Sequence, residues 1–349
     1  MNSEMDSSSP KPEIFFNFRP FFRIYKDGSI DRLTGNDIVP PSIDPQTGVS
    51  SKDVLIVPET GVAARIFLPK ITNSTRKLPL LIYVHGGGFC IETPFSPAYH
   101  NYVSSLVAKA NVVAVSIHYR RAPEHPLPIA YDDSWAAIQW VASHSKRNGT
   151  ESWLNKYADF DRFFMAGDSA GANIAHNLAM KSVETPLKNG VKIVGLGMVH
   201  PYFHGEEPLG PEASEEEKRE NVDLMWLSAC PSTSGCDDPR VNPAACKNLA
   251  SLACKRVLVF LAGSDVVRDG GVFYYETLKK SGWKGKLELM DVEGENHVFH
   301  ISKPNSEKAL AMLDLLASFL NQMDQNYYYQ HREEQQIRHD QYVSLRSSL

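Results

Sequence analysis

The sequence predicts an α/β fold, with a mostly parallel sheet and helices on both of its faces. Short apolar runs typical of buried strands recur from Val54 to Met290, and helical patterns separate most of the later runs. The sequence shows no internal repeat. Hydrophobic residues make up 42% of the 349 residues and charged residues 22%, as in an average globular protein. We therefore expect one α/β domain over residues 1–323.

Strands and helices alternate along most of this domain. The apolar runs predict strands at Val54–Val57, Val62–Leu68, Leu80–Val84, Val112–Ile117, Phe163–Ala166, Ile193–Val199, Val257–Leu261 and Lys286–Met290. Periodic stretches predict helices at Pro97–Ala110, Tyr131–Ser143, Ala170–Met180 and Gly270–Lys280. Runs before Leu80 have no helix between them, so we expect antiparallel strands at one edge. The phenylalanine-rich leader Ile14–Phe22 and an Asp27-Gly28 hairpin come first, and they either cover the sheet edge or form part of a lid.

One predicted strand-to-helix junction has the pattern of a nucleophile turn. Gly167-Asp168-Ser169-Ala170-Gly171 follows an apolar run and opens a helical pattern. Glycine two residues to either side lets a serine occupy a tight, exposed turn, and the helix start directs backbone N–H groups at nearby negative charge. The motif alone is weak evidence, since ordinary turns also match it. It predicts Ser169 as a nucleophile.

A glycine triplet follows the predicted strand Leu80–Val84, in the run His85-Gly86-Gly87-Gly88-Phe89. Consecutive glycines let backbone amides point into a cavity, and acyl transfer needs such donors where the oxyanion forms. An isolated triplet could equally be a flexible loop. We predict Gly87, Gly88 and Ala170 as the oxyanion donors.

A serine nucleophile also needs a base and an acid, and the chain supplies both in the order serine, acid, histidine. Asp265 follows the apolar run Val257–Leu261, and His297 follows the run Lys286–Met290. We predict that His297 accepts the serine proton and that Asp265 orients the imidazole.

Other ionisable residues compete for these roles. Asp269 stands where a helix is predicted to begin, which favours a capping role, and Asp291 ends a strand. His300 lies in a segment that looks packed, and His85 is expected to brace the glycine loop. Asp168 should face away from the cavity if Ser169 faces it.

The segment His200–Pro243 breaks the alternation and predicts a cap, together with residues of about 1–25. Its apolar stretch Leu224–Trp226 either belongs to a solvated surface helix or faces a substrate cavity above the carboxyl ends of the strands. We predict three pocket residues: Phe22, Phe89 and Trp226.

Composition excludes several classes of function. The net charge of −5 argues against a nucleic-acid surface, and no apolar run is long enough to span a membrane or to form a signal peptide. Five cysteines show neither zinc-ligand spacing nor a paired framework. We expect a cytoplasmic protein without a metal or a protein partner, and a disordered tail at residues 324–349.

Four motifs in this order resemble those of plant carboxylesterases of the hormone-sensitive-lipase-like group. They are His85–Phe89, Tyr119–Pro126, Gly167–Asn173 and Gly294–His300, and the resemblance covers residues 15 to 320. It implies an α/β-hydrolase fold with a small helical cap, no cofactor, and hydrolysis of small carboxylic esters.

The same group includes proteins with other functions. Gibberellin receptors resemble this chain but lack the catalytic histidine, whereas His297 is present. Isoflavanoid dehydratases are also similar, and in that branch the serine or the glycine loop is altered, whereas Ser169 and the glycine triplet are kept here. A serine carboxylesterase is the predicted function, with a related lyase or a hormone receptor as the alternatives.

Overall fold

The computed structural model describes residues 13–205, 209 and 216–322, and only the backbone of residues 216–219 and 221. The predicted disordered tail and the first twelve residues of the predicted cap lie outside the described residues, as do most of residues 206–215. Within the described ranges, no helix combines the length and the apolar character needed to cross a bilayer.

Eleven strands lie in the described part of the chain. They are β1 (Ile14–Phe18), β2 (Phe22–Tyr25), β3 (Ile30–Arg32), β4 (Ser50–Val57), β5 (Val62–Leu68), β6 (Leu78–Val84), β7 (Val113–His118), β8 (Ala158–Asp168), β9 (Ile193–Val199), β10 (Arg256–Ala262) and β11 (Lys286–Val292). The described helices of the same ranges are α1 (Pro97–Ala110), α2 (Ile129–Ser143), α3 (Ser152–Tyr157), α4 (Ala170–Glu184), α5 (Glu216–Ala229), α6 (Arg268–Lys280), α7 (Phe299–Ser302) and α8 (Glu307–Asn321).

Eight strands form the central sheet in the order β11-β10-β9-β8-β6-β7-β5-β4. Strands β6 to β11 pair in parallel, whereas β5 pairs antiparallel with both β4 and β7. Every residue of β6 and of β10 is buried, which explains why β6 is apolar throughout and why β10 is apolar from Val257 onward. The predicted α/β class, the parallel sheet and the antiparallel edge are confirmed.

Helices cover both faces of this sheet. Buried residues of α1 and α8, such as Leu106 and Leu316, share one hydrophobic cluster, and those of α2, α4 and α6, such as Ile138 and Ile174, share the other. Because consecutive parallel strands run the same way, the loops after β6, β8, β9, β10 and β11 meet at one edge. That edge holds all the predicted catalytic residues.

The N-terminal region differs in detail from its prediction. Strand β1 pairs with the predicted hairpin β2–β3 to give a separate three-stranded sheet, whose Phe18 and Phe22 enter the main core. Arg32 of β3 donates from Nε to the Cys90 carbonyl at 2.7 Å, so this sheet is fastened beside the glycine loop. Helices α3, α7 and α8 are absent from the sequence prediction, and the predicted helices α2, α4 and α6 are longer than expected.

Candidate active site

Ser169 lies at a sharp turn between β8 and α4. Its backbone has φ 52° and ψ −121°, a conformation that costs a serine about 1–3 kcal/mol and that persists only where surrounding contacts impose it. The Ser169 amide donates to the Val199 carbonyl at 2.9 Å, which ties the turn to the end of β9. The strained turn lifts the hydroxyl above the carboxyl edge of the sheet.

Close backbone contacts explain the two glycines around the serine. A Cβ on Gly171 would lie 2.1 Å from the Val84 carbonyl oxygen, and a Cβ on Gly167 would lie 2.6 Å from the carbonyl carbon of Gly171. Any side chain there would push α4 away from β6 and β8. The glycine spacing in the sequence therefore reflects how closely the helix approaches the sheet.

Two hydrogen bonds join the three predicted catalytic side chains. His297 Nε2 lies 2.9 Å from Ser169 Oγ, and His297 Nδ1 lies 2.7 Å from Asp265 Oδ2. Since an ionised carboxylate only accepts, Nδ1–H is the donor to Asp265, which leaves Nε2 to accept from the serine hydroxyl. The structure thus brings Ser169, His297 and Asp265 together in one continuous chain of hydrogen bonds, which we call the triad.

The imidazole of His297 is held in a charged environment. Burial disfavours its protonated form, but the carboxylate of Asp265, through its charge and its hydrogen bond, and the charge of Asp168 outweigh that effect and raise the His297 pKa above its ordinary value. Asp265 itself is fixed by the Val267 amide, which donates to Oδ1 at 2.9 Å. The same contacts would stabilise the imidazolium that forms if a neutral His297 accepts the serine proton.

Asp269, the competing acid, does not reach the histidine. Helix α6 begins at Arg268 with Val267 as its N-cap, so the expected capping role of Asp269 is wrong. It lies inside the first helical turn, 3.6 Å from the Arg268 guanidinium. Asp291, the other candidate, pairs with the same arginine.

The glycine triplet lies directly against the serine turn. Gly87 and Gly88 have φ of 97° and 58°, and a Cβ on Gly86 would lie 2.4 Å from Asp168 Oδ2. Helix α4 begins at Ala170, whose amide has no intrahelical acceptor at this position. Loop and helix start thus meet beside Ser169, the arrangement that the sequence analysis predicts for oxyanion donors.

Asp168 hydrogen-bonds to two tyrosine hydroxyls and braces the turn, the role that the sequence analysis favours over a second catalytic acid. Its Oδ1 accepts from the Tyr83 hydroxyl at 2.8 Å and its Oδ2 from the Tyr99 hydroxyl at 2.7 Å. Burial raises the Asp168 pKa to about 6, although both tyrosine hydroxyls stabilise its ionised form. These tyrosines hold the residue next to the nucleophile, a function that no local sequence pattern indicates.

The remaining histidines near the site are packed and neutral. His85 donates from Nδ1 to the Gly86 carbonyl at 2.8 Å and stacks on Tyr119, consistent with its predicted bracing role. Burial lowers the His300 pKa to about 3. His200, at the end of β9, accepts from the Val298 amide at 3.0 Å, and its ring centroid lies 5.9 Å from that of His297. His200 directly follows the predicted strand Ile193–Val199, and this position could have indicated that it lies near the site.

The three predicted pocket residues lie deeper than expected. Phe22, Phe89 and Trp226 have 0% accessible surface and belong to the core, where the Phe89 and Trp226 rings pack edge to face. With no accessible surface, they do not form the walls of an open cavity. Met225, the neighbour of Trp226, is half-buried, and a Cβ on Gly88 would meet its Sδ at 2.6 Å. The half-buried thioether thus lies against the glycine loop.

Comparison with known proteins gives consistent results. The α/β hydrolase fold family matches residues 81–301. The chain is 44% identical over 318 residues to probable carboxylesterase 2 of Arabidopsis thaliana, covering 90% of this chain and 99% of that one. It is 45% identical over 322 residues to 2-hydroxyisoflavanone dehydratase of Glycyrrhiza echinata, covering 90% and 98%. The crystal structure of esterase LipW from Mycobacterium marinum is similar with a TM-score of 0.65 and 26% identity, covering 78% of this chain and 81% of that one.

Proposed function

The chain belongs to the α/β-hydrolase fold family and resembles the plant carboxylesterases, and we propose that this carboxylic-ester hydrolase works through Ser169, His297 and Asp265. The continuous hydrogen bonds of 2.9 and 2.7 Å between these side chains are the observation that carries the proposal. Both carboxylesterase-named and esterase-named proteins are among its relatives.

In the proposed mechanism, Ser169 Oγ attacks the ester carbonyl while its proton passes to His297 Nε2. The amides of Gly87, Gly88 and Ala170 stabilise the oxyanion, and the imidazolium then protonates the departing alcohol. Water repeats these steps on the acyl-enzyme and releases the acid. Asp265 supports the imidazolium throughout, and no step requires a cofactor.

We propose esters with short acyl chains or a small aromatic group as substrates. Met225 above Gly88, together with the three-stranded sheet fastened beside the glycine loop, supports a compact site. We further propose a cytoplasmic location without a nucleic-acid or protein partner. Enrichment of the tagged chain in chloroplasts or mitochondria upon cell fractionation would contradict that location.

A dehydratase acting on a plant secondary metabolite is the second candidate, because a dehydratase-named relative is 45% identical. A hormone receptor without catalysis is the third. The intact hydrogen-bonded triad favours the esterase, since binding alone requires no serine aligned with a base. Elimination of water from a 2-hydroxyisoflavanone without hydrolysis of aryl esters would favour the dehydratase.

Fluorophosphonate labelling with peptide mapping tests the proposal directly. We expect the label on Ser169, and Ser169→Ala should abolish labelling and lower kcat on p-nitrophenyl acetate by roughly three orders of magnitude or more. Ser182→Ala is the matched control, because its hydroxyl lies on the same helix and donates only to the Ala179 carbonyl among its described contacts. Full turnover by Ser169→Ala would refute the assignment.

A further inference from the structure

A second group of potential ligands lies in the cap, outside the triad. His204 follows β9, Asp223 belongs to α5, and Cys236 lies in the turn after that helix. His204 Nδ1 is 3.4 Å from Asp223 Oδ1, and Cys236 Sγ is 3.5 Å from the same oxygen. All three ligand atoms lie within 4.8 Å of one another. We call these residues the cap cluster.

The spacings match those of a metal-ligand set. Tetrahedral zinc with Zn–N and Zn–O bonds of about 2.0 Å and a Zn–S bond of about 2.3 Å separates nitrogen from oxygen by about 3.3 Å and sulfur from oxygen by about 3.5 Å. The observed distances are close to both values.

The surroundings of His204 suit a ligand. The side chain is 4% exposed, and its Nε2 lies 3.4 Å from the Tyr202 hydroxyl, which itself donates to the Val222 carbonyl at 2.6 Å. Because the Tyr202 hydroxyl uses its own hydrogen in the bond to Val222, it can accept a hydrogen bond from Nε2–H of His204. In that tautomer Nδ1 carries the lone pair, so Nδ1 is the atom that a metal would bind. Metal-binding histidines are commonly oriented by such a partner on the other ring nitrogen.

Ligand chemistry and exposure select the metal. Thiolate, imidazole and carboxylate together suit zinc, whereas calcium and magnesium prefer oxygen alone. Asp223 is 26% exposed and Cys236 is partly exposed, so solvent can reach the cluster and supply a water ligand. We propose that His204, Asp223 and Cys236 bind one zinc ion, with water as the fourth ligand.

Bound zinc would tie α5 to the chain on both sides of it. The same helix carries Met225, which lies over Gly88. Bound zinc would therefore hold in place the helix that limits the space above the glycine loop. Neither this role nor zinc binding depends on ester hydrolysis. The site is thus testable whatever the substrate proves to be.

Cobalt substitution in the full-length chain provides the test. After treatment with chelator, one equivalent of Co²⁺ should give a thiolate-to-cobalt charge-transfer band, and zinc should displace it. Cys236→Ser should lose the band and bind zinc at least ~10-fold more weakly, as should Asp223→Asn. Cys246→Ser, a matched half-buried cysteine whose Sγ contacts Asn248 Oδ1 at 3.3 Å, should keep both.

A second measurement needs no variant. Zinc should protect Cys236 of the wild type from alkylation while leaving Cys246 reactive, as read by peptide mass mapping. The residues His200, Asp265 and His297 also bring their ligand atoms within 4.8 Å of one another, but zinc there would give no thiolate band. Absence of the band in the wild type, its persistence in Cys236→Ser, or equal alkylation with and without zinc would overturn the proposal.

Discussion

The triad and the cap cluster contain similar residue types at different spacings. In the triad, His297 lies 2.7 and 2.9 Å from its partners, within direct hydrogen-bonding distance. In the cap cluster, the distances to Asp223 Oδ1 are 3.4 and 3.5 Å. A proton moves along short, directed contacts, whereas a metal ion needs ligands that leave room between them. Under the two proposals, the short contacts of the triad suit proton transfer, and the wider spacing of the cap cluster leaves room for an ion.

The largest effect should come from breaking the acid side of the triad. Asp265→Asn places an amide where the carboxylate accepts from Nδ1–H, which favours the wrong imidazole tautomer, and we expect kcat on p-nitrophenyl acetate to fall about 10²- to 10⁴-fold. Asp269→Asn, in the adjacent helix turn, should stay within about twofold because Asp269 pairs with Arg268 instead. An equal fall in kcat in the two variants would show that Asp265 is not the acid that orients His297.

Helix α5 carries both Asp223 of the cap cluster and Met225 beside the glycine loop, and a substitution at Gly88 tests that second contact. Gly88→Ala would drive a Cβ to 2.6 Å from Met225 Sδ, so we expect kcat/KM to fall about 10-fold or more. Gly61→Ala is the matched control, since Gly61 also has positive φ, at 77°, but nothing lies within 4 Å of its Cβ. Both should lose about 1 kcal/mol of stability. Similar activity losses would mean that backbone strain, and not the contact with Met225, impairs the site.

Met225→Ala should relieve that contact. It should restore part of the kcat/KM of Gly88→Ala, and alone it should shift the preferred p-nitrophenyl ester towards longer acyl chains, by at most ~0.8 kcal/mol per added methylene. An unchanged chain-length profile from acetate to palmitate would show that Met225 does not limit the acyl site.

The smallest expected effect is on the pH profile. In the proposed mechanism neutral His297 is the base, so we expect kcat/KM to rise with pH as the imidazolium loses its proton. Burial opposes the charged form, but Asp265 raises the His297 pKa, so the midpoint should lie above the ordinary histidine value of about 6.5. Asp265→Asn should move it downwards. A wild-type midpoint below the ordinary value would contradict the charged environment described for His297.

Local sequence patterns predicted most of the site because the backbone conformations that form it depend on residues close together in the sequence. Ser169 and the glycine loop have fixed spacings imposed by a strained turn and close backbone approach. The acidic partner of the histidine was harder to select, because Asp265 and Asp269 lie only four residues apart. They are distinguished by where helix α6 begins: Asp265 precedes it and Asp269 lies within it. Trp226 was misplaced because an amphipathic pattern does not reveal which neighbours cover a side chain, and Met225 beside it proved to be the residue over the loop.

The cap cluster lay beyond sequence reasoning for a different reason. Its members come from a loop, a helix and a turn, and their separations of 19 and 13 residues match no familiar zinc motif. The segment after β9 meets α5 in three dimensions, as the hydrogen bond from the Tyr202 hydroxyl to the Val222 carbonyl at 2.6 Å shows. The sequence analysis accordingly predicted no metal, and zinc binding is a proposal from three-dimensional geometry.

The contacts of Asp168 also tie activity to the completion of folding. Its partners Tyr83 and Tyr99 lie 85 and 69 residues earlier in the chain, and the neighbouring Ser169 amide bonds to Val199. The turn can keep its strained conformation only after these distant segments have assembled around it. In a refolding mixture, the fraction of chains that reacts with a phosphonate would therefore count native molecules, excluding compact chains whose secondary structure formed without this junction.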